Sequence, residues 1–359
     1  MATVTKSIGT NSRDYSTISA WEADLANSAV YNSGDEAVGE CYNDSTFDEA
    51  FNIDDTGPAY GLSSITLKAN SSDKHDGTPD SGVKITYTGS FSTFSPIFQV
   101  SYTQSSYGSD LVKIEDLEFA DIAVSTDTDV VIFSLGIDSC IMSRCLVNNI
   151  HHNGAGNKSF YIFGIDSTNG AVIQNTMIFN CGKAATHSSQ NGRCQALYSH
   201  ANAEYNNLTI HNIFDNTVTA NSYGIFNGVI KNSIITNCGE NFKQQTGSSS
   251  DYNLSSDTTF FGGNSIAQIG TFRLYTSTTQ GSEDLHLKND SPALRAAQNL
   301  GTTDDVQKDI DGEDRDTSGS TAWDIGADQC ASCTTTAKKF DGHLRMNLDG
   351  DLGSFNVMG

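Results

Sequence analysis

Basic residues, prolines and long apolar runs are scarce in this sequence, and each scarcity excludes a class of protein. The 359 residues include 20 Lys and Arg against 43 Asp and Glu. The resulting net charge of −23 argues against nucleic acids and anionic membranes as partners. No stretch approaches the roughly 20 apolar residues of a membrane span. Only 4 residues are proline and 18% are charged, so the composition is not that of a disordered chain.

The amino terminus lacks a secretory signal. The first twenty residues contain no apolar run of about 7–15 residues. We therefore expect synthesis in a cytoplasm without export by the usual route. The cysteines are then predicted to be free thiols: Cys145, Cys181 and Cys238 buried, and Cys330 and Cys333 at a domain edge.

Small and uncharged polar residues are abundant. The chain has 32 Gly and many Ser, Thr and Asn, whereas hydrophobic residues make up only 37%. Many uncharged polar residues with few Lys and Glu disfavour helices. An all-β protein with many turns is therefore predicted.

A repeat organises the middle of the chain. Five segments align without gaps at steps of 28, 31, 32 and 25 residues: IEDLEFADI (114–122), MSRCLVNNI (142–150), IQNTMIFNC (173–181), YNNLTIHNI (205–213) and IKNSIITNC (230–238). A period of about 20–50 residues is typical of solenoids, propellers and arrays. The segments are short and rich in β-branched residues, so each repeat is predicted to be two or three strands. Their apolar faces become buried only when repeats stack.

Two positions of the repeat predict how the coils stack. The sixth is apolar throughout and is expected to face the core, at Val147, Ile178, Ile210 and Ile235. The eighth is Asn in four of five segments, at Asn149, Asn180, Asn212 and Asn237. Stacked Asn side chains form an amide ladder, and Asn tolerates the left-handed backbone of a sharp corner. A propeller blade needs about four strands in 40–45 residues, so a parallel β-helix fits better.

Further motifs flank the repeats. The opening carries YSTISAWEADL (15–25), GDEAVGECYNDSTFDEAFNID (34–54) and SSITLKA (63–69). The end carries DLHLKNDSPALRAA (284–297), DIDGEDRD (309–316) and WDIGADQ (323–329). With the repeat, these motifs resemble the pectin-lyase-like superfamily. The resemblance implies a right-handed, single-stranded parallel β-helix of roughly eight coils with a short N-terminal capping helix.

Four regions are expected along the chain. They are an N-terminal cap (1–30), the β-helix (31–270), a segment that closes the stack (271–330) and a tail (331–359). Within the cap, Ser19 and Glu22 form an S-x-x-E capping box. Ile18, Trp21 and Leu25 line one helical face, which would cover the open apolar end of the stack.

The catalytic motifs of enzymes with this fold are missing from the sequence. It has neither the Ca²⁺-binding carboxylates and basic residue of pectate lyases nor the paired carboxylates and Gly-His-Gly of polygalacturonases. No catalytic residue is assigned, although carboxylates from neighbouring coils could still form a pair. Arg144 is expected to point outward or to pair with Asp116 one coil away. His151 and His152 are interpreted as solvated loop residues rather than as metal ligands with His187.

An acidic run follows the repeats. Asp309, Asp311 and Asp314 are weak candidates for Ca²⁺, because their spacing departs from the EF-hand order. We interpret the run as a turn and expect no cofactor.

Two classes of function fit these features. The opening residues MATVTKSIG, RDYSTISAWEADL and GECYNDSTF also resemble β-helix proteins of tailed bacteriophages. That resemblance implies a non-enzymatic structural or adhesive virion protein: a capsid decoration, head fibre or tail spike. It further implies a homotrimer at the virion surface, with capsid or tail proteins and a host-surface glycan as partners. The alternative is a carbohydrate-cleaving enzyme, either a phage depolymerase of the glycoside-hydrolase type or a polysaccharide lyase.

The tail is the expected assembly element. Its apolar residues include Phe340, Leu344, Met346, Leu348 and Phe355, and HLRMNL alternates as a strand with one apolar side. An exposed apolar strand edge favours pairing with another chain. Residues 338–359 are therefore predicted to bind a neighbouring subunit or the particle; the alternative is a disordered terminus.

Overall fold

The computed structural model is almost entirely built of β-strands. It describes residues 2–54, 61–91, 96–101, 111–135, 140–154, 158–165, 171–184, 192–199, 203–216, 221–243, 249–302, 306–315, 323–330 and 333. In chain order the elements are β1 (Thr3–Ile8), α1 (Ile18–Ala23), β2 (Glu36–Cys41), β3 (Phe47–Asp48), β4 (Phe51–Ile53), β5 (Ser64–Ala69), β6 (Lys84–Thr86), β7 (Phe98–Val100), β8 (Leu111–Glu115), β9 (Glu118–Val124), β10 (Val130–Leu135), β11 (Cys140–Ser143), β12 (Leu146–His152), β13 (Phe160–Ile165), β14 (Val172–Gln174), β15 (Met177–Lys183), β16 (Cys194–Ser199), β17 (Glu204–Asn206), β18 (Thr209–Asp215), β19 (Ser222–Ile225), β20 (Val229–Lys231), β21 (Ile234–Thr236), β22 (Glu240–Phe242), β23 (Leu254–Ser255), a 3-10 turn (Thr271–Arg273), β24 (Tyr275–Thr279) and β25 (Ser282–Leu287). The all-β prediction is confirmed.

Three parallel sheets wind into a β-solenoid. Sheet 1 has the order β1-β2-β5-β8-β11-β14-β17-β20, sheet 2 the order β3-β6-β9-β12-β15-β18-β21-β23, and sheet 3 the order β4-β7-β10-β13-β16-β19-β22. Each coil contributes one strand to each sheet, and each strand pairs with its counterparts in the coils before and after. The seven strands of sheet 3 span six turns. The predicted parallel β-helix is confirmed, and the expected number of coils was slightly too high.

The inward side chains of the three sheets form one continuous core. The four residues expected there, Val147, Ile178, Ile210 and Ile235, are completely buried. On sheet 3, aromatic rings stack along the axis: the ring centroid of Phe133 lies 5.0 Å from that of Phe98 and 4.5 Å from that of Phe163. Burial in one coil therefore depends on the coils above and below it, as in other solenoids.

The amino-terminal end of the core is covered by α1. Ile18 and Trp21 are completely buried and Leu25 nearly so, as their spacing predicts. The Trp21 indole Nε1 donates a hydrogen bond to the hydroxyl of Tyr31 at 2.9 Å. Just before the helix, β1 pairs with β2 in parallel, so the cap region also adds a strand to sheet 1.

The predicted capping box is wrong. The N-cap residue is Thr17, which has an extended backbone and whose side chain accepts a hydrogen bond from the amide of Ala20. Ser19 already lies inside the helix, so it cannot cap it. Glu22 instead accepts a hydrogen bond from the amide of Asp54 in the first coil.

The described residues between 271 and 330, which belong to the segment expected to close the stack, pack against the outer face of sheet 2; we call them the covering segment. Gly326 donates its amide proton to the carbonyl of Asn232 at 2.8 Å, and Ala327 donates to Thr209 Oγ1 at 3.0 Å. A second apolar core forms between the two layers and includes Leu146, Met177, Phe179 and Ile234 from sheet 2 with Leu274, Tyr275, Leu285, Trp323 and Ile325. The reason is that sheet 2 is apolar on both faces and parallel sheets are usually covered on both.

Residues after the last coil cover the other end of the stack. Phe261 packs against Phe242, with ring centroids 5.2 Å apart. Ile266 forms a bridge to Leu254 of β23. The apolar core is therefore covered at both ends.

The cysteines differ between the solenoid and the covering segment. Cys145 and Cys181 are free and buried, and Cys238 is free and half-buried. Cys330 and Cys333 form a disulfide, with Cα atoms 5.3 Å apart, so the prediction that both are free thiols is wrong. The amide of Cys333 donates to the carbonyl of Cys330, and this turn brings the two side chains within bonding range.

Candidate functional site

Two columns of left-handed residues run along the solenoid. One lies at the turn between sheets 1 and 2 and contains Asp116, Arg144, Asn175, Asn207 and Asn232. The other lies in or at the end of the sheet 2 strands and contains Asp121, Asn149, Asn180, Asn212 and Asn237. All ten residues have φ between 48° and 59°, a region that Asn tolerates better than other non-glycine residues.

The first column includes a completely buried ladder of amides, Asn175, Asn207 and Asn232, which we call the covered ladder. Asn207 Nδ2 donates to Asn175 Oδ1 at 2.9 Å, and Asn232 Nδ2 donates to Asn207 Oδ1 at 3.0 Å. The covering segment supplies further partners: Asn207 Nδ2 donates to the Val306 carbonyl at 3.2 Å, and Asn232 Oδ1 accepts from the Gln298 amide at 3.0 Å. The sequence reasoning missed this ladder, although three of the five positions are Asn.

The second column is the one predicted from the repeat, and we call its Asn180, Asn212 and Asn237 the open ladder. Asn212 Nδ2 donates to Asn180 Oδ1 at 3.3 Å, and Asn237 Nδ2 donates to Asn212 Oδ1 at 3.1 Å. Asn149 donates to Asp121 one coil earlier. Asn180 is buried, Asn212 is half-buried and Asn237 is exposed, so this ladder faces solvent progressively along its length.

An acidic cleft of about 250 Å³ opens beside the second column. Asp80, Asp121, Asn149 and Phe179 line it from the solenoid, and Glu283 lines it from the covering segment. Carboxylates and amides offer hydrogen-bond acceptors and donors to hydroxyl-rich ligands. The cleft is therefore a candidate binding site for a carbohydrate.

Two carboxyl groups near this cleft have pKa values shifted in opposite directions. Burial raises the pKa of Glu118, although Asn148 Nδ2 donates to its carboxylate at 2.8 Å. Partial burial alone would raise the pKa of Asp121, but hydrogen bonds, mainly from Lys84, outweigh it and lower the pKa. Lys84 Nζ lies 2.5 Å from Asp80 Oδ1 and 2.8 Å from Asp121 Oδ2, so one cation holds both cleft carboxylates.

A second cleft, of about 300 Å³, lies where the first column begins. Arg144 Nε lies 2.8 Å from Asp116 Oδ1, and Arg144 Nη2 lies 3.4 Å from Glu115 Oε2. The predicted pairing of Arg144 with Asp116 one coil away is therefore present. Lys308, which also lines this cleft, lies 2.7 Å from Asp314 Oδ1.

A third polar site lies within the covering segment. His286 Nδ1 is 2.6 Å from Asp284 Oδ1, and His286 Nε2 is 3.3 Å from Asp311 Oδ1. Burial would lower the pKa of His286, but the hydrogen bond with Asp311 and the charge of Asp328 help to raise it to about 10. Burial raises the pKa of Asp328 to about 7. The ligand atoms of His286, Asp311 and Asp328 all lie within 4.8 Å of one another, a spacing that could hold a metal ion.

The three calcium candidates of the sequence have different roles. Asp309 is completely buried, and its Oδ1 accepts hydrogen bonds from the amides of Asp311 and Glu313 at 3.1 and 2.8 Å. The side chain of Asp314 is 70% exposed and pairs with Lys308. Among the described residues, Asp311 is the only one of the three in a group with metal-ligand spacing. The run is a hydrogen-bonded turn of the kind that Asp side chains stabilise.

The interpretation of the histidine pair as solvated loop residues is wrong. His151 and His152 belong to β12, and His152 is completely buried with its ring 5.7 Å from that of Phe160. His151 Nε2 lies 3.2 Å from the carbonyl of Asn180. The strand extends into the expected loop because His151 and His152 continue the pairing with β9 and β15.

Some predicted site residues lie outside the described residues. These are His187 and the assembly residues Phe340, Leu344, Met346, Leu348 and Phe355. Their assignment stays a prediction.

Comparisons with known proteins return no relative. No protein-family model, curated protein or solved structure matches the chain. The structure itself supports a parallel β-solenoid, and the resemblance to pectin-lyase-like and phage proteins rests on sequence motifs alone. Within the described ranges, no helix is long and apolar enough to cross a membrane.

Proposed function

We propose that this chain is a non-enzymatic structural or adhesive protein of a tailed-phage virion. The observation that carries the proposal is the ion pairing of charged groups in both clefts. Lys84 holds Asp80 and Asp121 in one, and Arg144 is held by Asp116 in the other. General acid–base catalysis needs a group that exchanges a proton near the working pH. Charged groups that are held by one another in ion pairs instead contribute to a rigid surface.

The architecture suits a rigid display element. Six spacings of about 4.8 Å make a stack roughly 30 Å long between the first and last strands of sheet 3. Two columns of side-chain hydrogen bonds run along this axis, and a second apolar core covers sheet 2. These features restrict bending and local opening, as a particle exposed outside the cell requires.

Labelling of particles tests the proposed location. Antibodies raised against the purified chain are expected to decorate intact tailed-phage particles from the source cells in electron micrographs. Particles from a phage with the gene deleted are the control. Absence of label on wild-type particles that contain the protein by mass spectrometry would contradict a surface location, and absence of the protein from the particles would contradict the proposal as a whole.

Assembly is proposed to depend on the tail and to produce a homotrimer. Deleting residues 335–359 is expected to leave the β-sheet circular dichroism spectrum unchanged while trimers or particle binding are lost. Light scattering and co-sedimentation with particles measure the two effects. Normal assembly of the truncated chain would show that the tail has no such role.

The alternative function is cleavage of a host glycan in the acidic cleft. It is favoured by one observation, the opposed pKa shifts of Glu118 and Asp121, since such a pair can divide acid and base roles. Assays of reducing ends and of unsaturated uronates against host capsule test it. Activity that is lost in Asp121→Asn but kept in Asp314→Asn would replace the structural proposal with the enzymatic one.

A further inference from the structure

We propose that His286, Asp311 and Asp328 form a binding site for a divalent transition-metal ion, with Zn²⁺ as the best match. The site is independent of the proposed function. It joins three separate parts of the covering segment, because His286 is in β25, Asp311 is in the acidic turn, and Asp328 follows the last apolar residues. A bound ion would therefore cross-link the segment.

The spacing of the ligand atoms fits a tetrahedral ion. Two ligand atoms that each lie about 2.0–2.1 Å from zinc are about 3.3–3.4 Å apart. His286 Nε2 and Asp311 Oδ1 are 3.3 Å apart. The oxygen of Asp328 completes a group in which all ligand atoms lie within 4.8 Å of one another, so the three side chains face a common point.

The imidazole of His286 is oriented as a metal ligand. Its Nδ1 faces Asp284 Oδ1 at 2.6 Å, which directs Nε2 towards the other two carboxylates. Histidines that bind metals usually donate their second ring N–H to a carboxylate in this way. Asp284 is thus a positioning residue outside the ligand set.

Asp328 supplies an oxygen that accepts no hydrogen bond from the described residues. The residue is 4% exposed, and its carboxylate accepts one hydrogen bond within the described chain, from the Leu287 amide to Oδ2 at 2.7 Å. Its Oδ1 accepts none there. The carboxylate already feels the positive charges of His286 and Arg315, and an ion bound at Oδ1 would add to them.

Lys74 does not occupy the carboxylate oxygens of the site. Lys74 Nζ binds the main-chain carbonyl of Asp311 rather than its carboxylate. Gly77 forms the opposite wall, where a Cβ would lie 2.4 Å from His286 Nε2 and 2.8 Å from Asp311 Oδ1. The side chains of His286 and Asp311 are 23% and 30% exposed, so an ion can enter from solvent.

The ligand set distinguishes between metals. Ca²⁺ takes about 6–8 oxygen ligands, and Mg²⁺ usually keeps several waters, so neither selects an imidazole. One histidine and two carboxylates suit Zn²⁺ and Co²⁺, with water in the fourth position.

Metal retention by the full chain is the first test. The protein is dialysed with Zn²⁺, then against metal-free buffer, and its zinc content is measured by mass spectrometry. The wild type is expected to keep one ion per chain, and so is the matched control Asp314→Asn. His286→Gln and Asp311→Asn are expected to keep none. These two residues are partly exposed, and circular dichroism verifies that the variants fold.

Titration with Co²⁺ identifies the ligands and the positioning residue. Nitrogen and oxygen ligands give weak visible bands, whereas thiolates add intense near-ultraviolet bands. Asp284→Asn is expected to weaken binding about 10–100-fold while the visible bands persist. Either zinc retention that is equal in all variants, no retention by the wild type, or a thiolate band would overturn the proposal.

Discussion

The covered and open ladders use the same residue and nearly the same backbone, yet they differ in burial. Asn207 and Asn212 have φ of 54° and 56°, and each donates to an Asn one coil earlier. Asn207 is completely buried beneath the covering segment, whereas Asn212 is half-buried. Local conformation therefore selects Asn in both columns, and tertiary packing decides how much each hydrogen bond contributes.

Trp323→Ala is expected to lower the free energy of unfolding the most, because it weakens the packing of the covering segment on sheet 2. Trp323 is completely buried in the second core, and such truncations cost about 3–5 kcal/mol. Hydrogen exchange should accelerate more at the amides of the covered ladder than at those of the open one. Phe272→Ala in the same segment is the control, since Phe272 is 75% exposed and should change little. Equal acceleration of both ladders would show that the cover does not distinguish them.

The next largest effect is the difference in lost unfolding free energy between Asn207→Ala and Asn212→Ala. Both lose the residue that tolerates left-handed backbone, at about 1–2 kcal/mol. Asn207→Ala also leaves Asn175 Oδ1 without that donor in a buried site, which costs about 1–3 kcal/mol more. Urea unfolding should give about 3 kcal/mol for Asn207→Ala and about 1–2 kcal/mol for Asn212→Ala. Equal losses would mean that burial adds nothing to the ladder.

The pH dependence of His211 measures how well the cover excludes water. His211 lies on sheet 2 under Tyr275, with ring centroids 5.7 Å apart, and burial lowers its pKa to about 4. The unfolded chain binds the proton near pH 6.5, so stability falls as the pH drops from 6.5 towards 4. This contribution is about 2 kcal/mol between pH 8 and pH 5.

His211→Gln isolates this contribution from other titrating groups. The unfolding free energy of the wild type minus that of the variant should be about 2 kcal/mol smaller at pH 5 than at pH 8. A constant difference from pH 8 to pH 5 would show that water reaches the imidazole.

The smallest effect is expected for Asn237→Gly at the exposed end of the open ladder. Glycine adopts the φ of 56° without strain, and water replaces the hydrogen bond with Asn212. The unfolding free energy should change by less than about 0.5 kcal/mol. A loss comparable to that of Asn207→Ala would mean that the open ladder acts as one cooperative unit.

Features of the fold that follow from the repeat were predictable from the sequence, and features that depend on other contacts were not. Core residues such as Ile178 and the left-handed position of Asn180 follow from the period of the repeat, because stacked coils repeat the same environment. The capping box failed by two residues, since Thr17 and Ser19 are both good caps. The carboxylate of Glu49 in the first coil accepts from the amides of Ile18 and Ser19, a tertiary contact that the local sequence does not specify. The Cys330–Cys333 disulfide also depends on a local turn that the composition does not specify.

The sequence by itself determined the parallel solenoid, the register of its coils and the left-handed Asn at the eighth repeat position, because these arise from a period in which every coil meets a copy of itself. The tertiary structure alone decided where the covering segment lies. That segment has no repeat, and its position depends on matching its apolar residues to the outer face of sheet 2. The same docking buries Asn207 and brings together His286, Asp311 and Asp328, which are up to 42 residues apart and share no sequence motif.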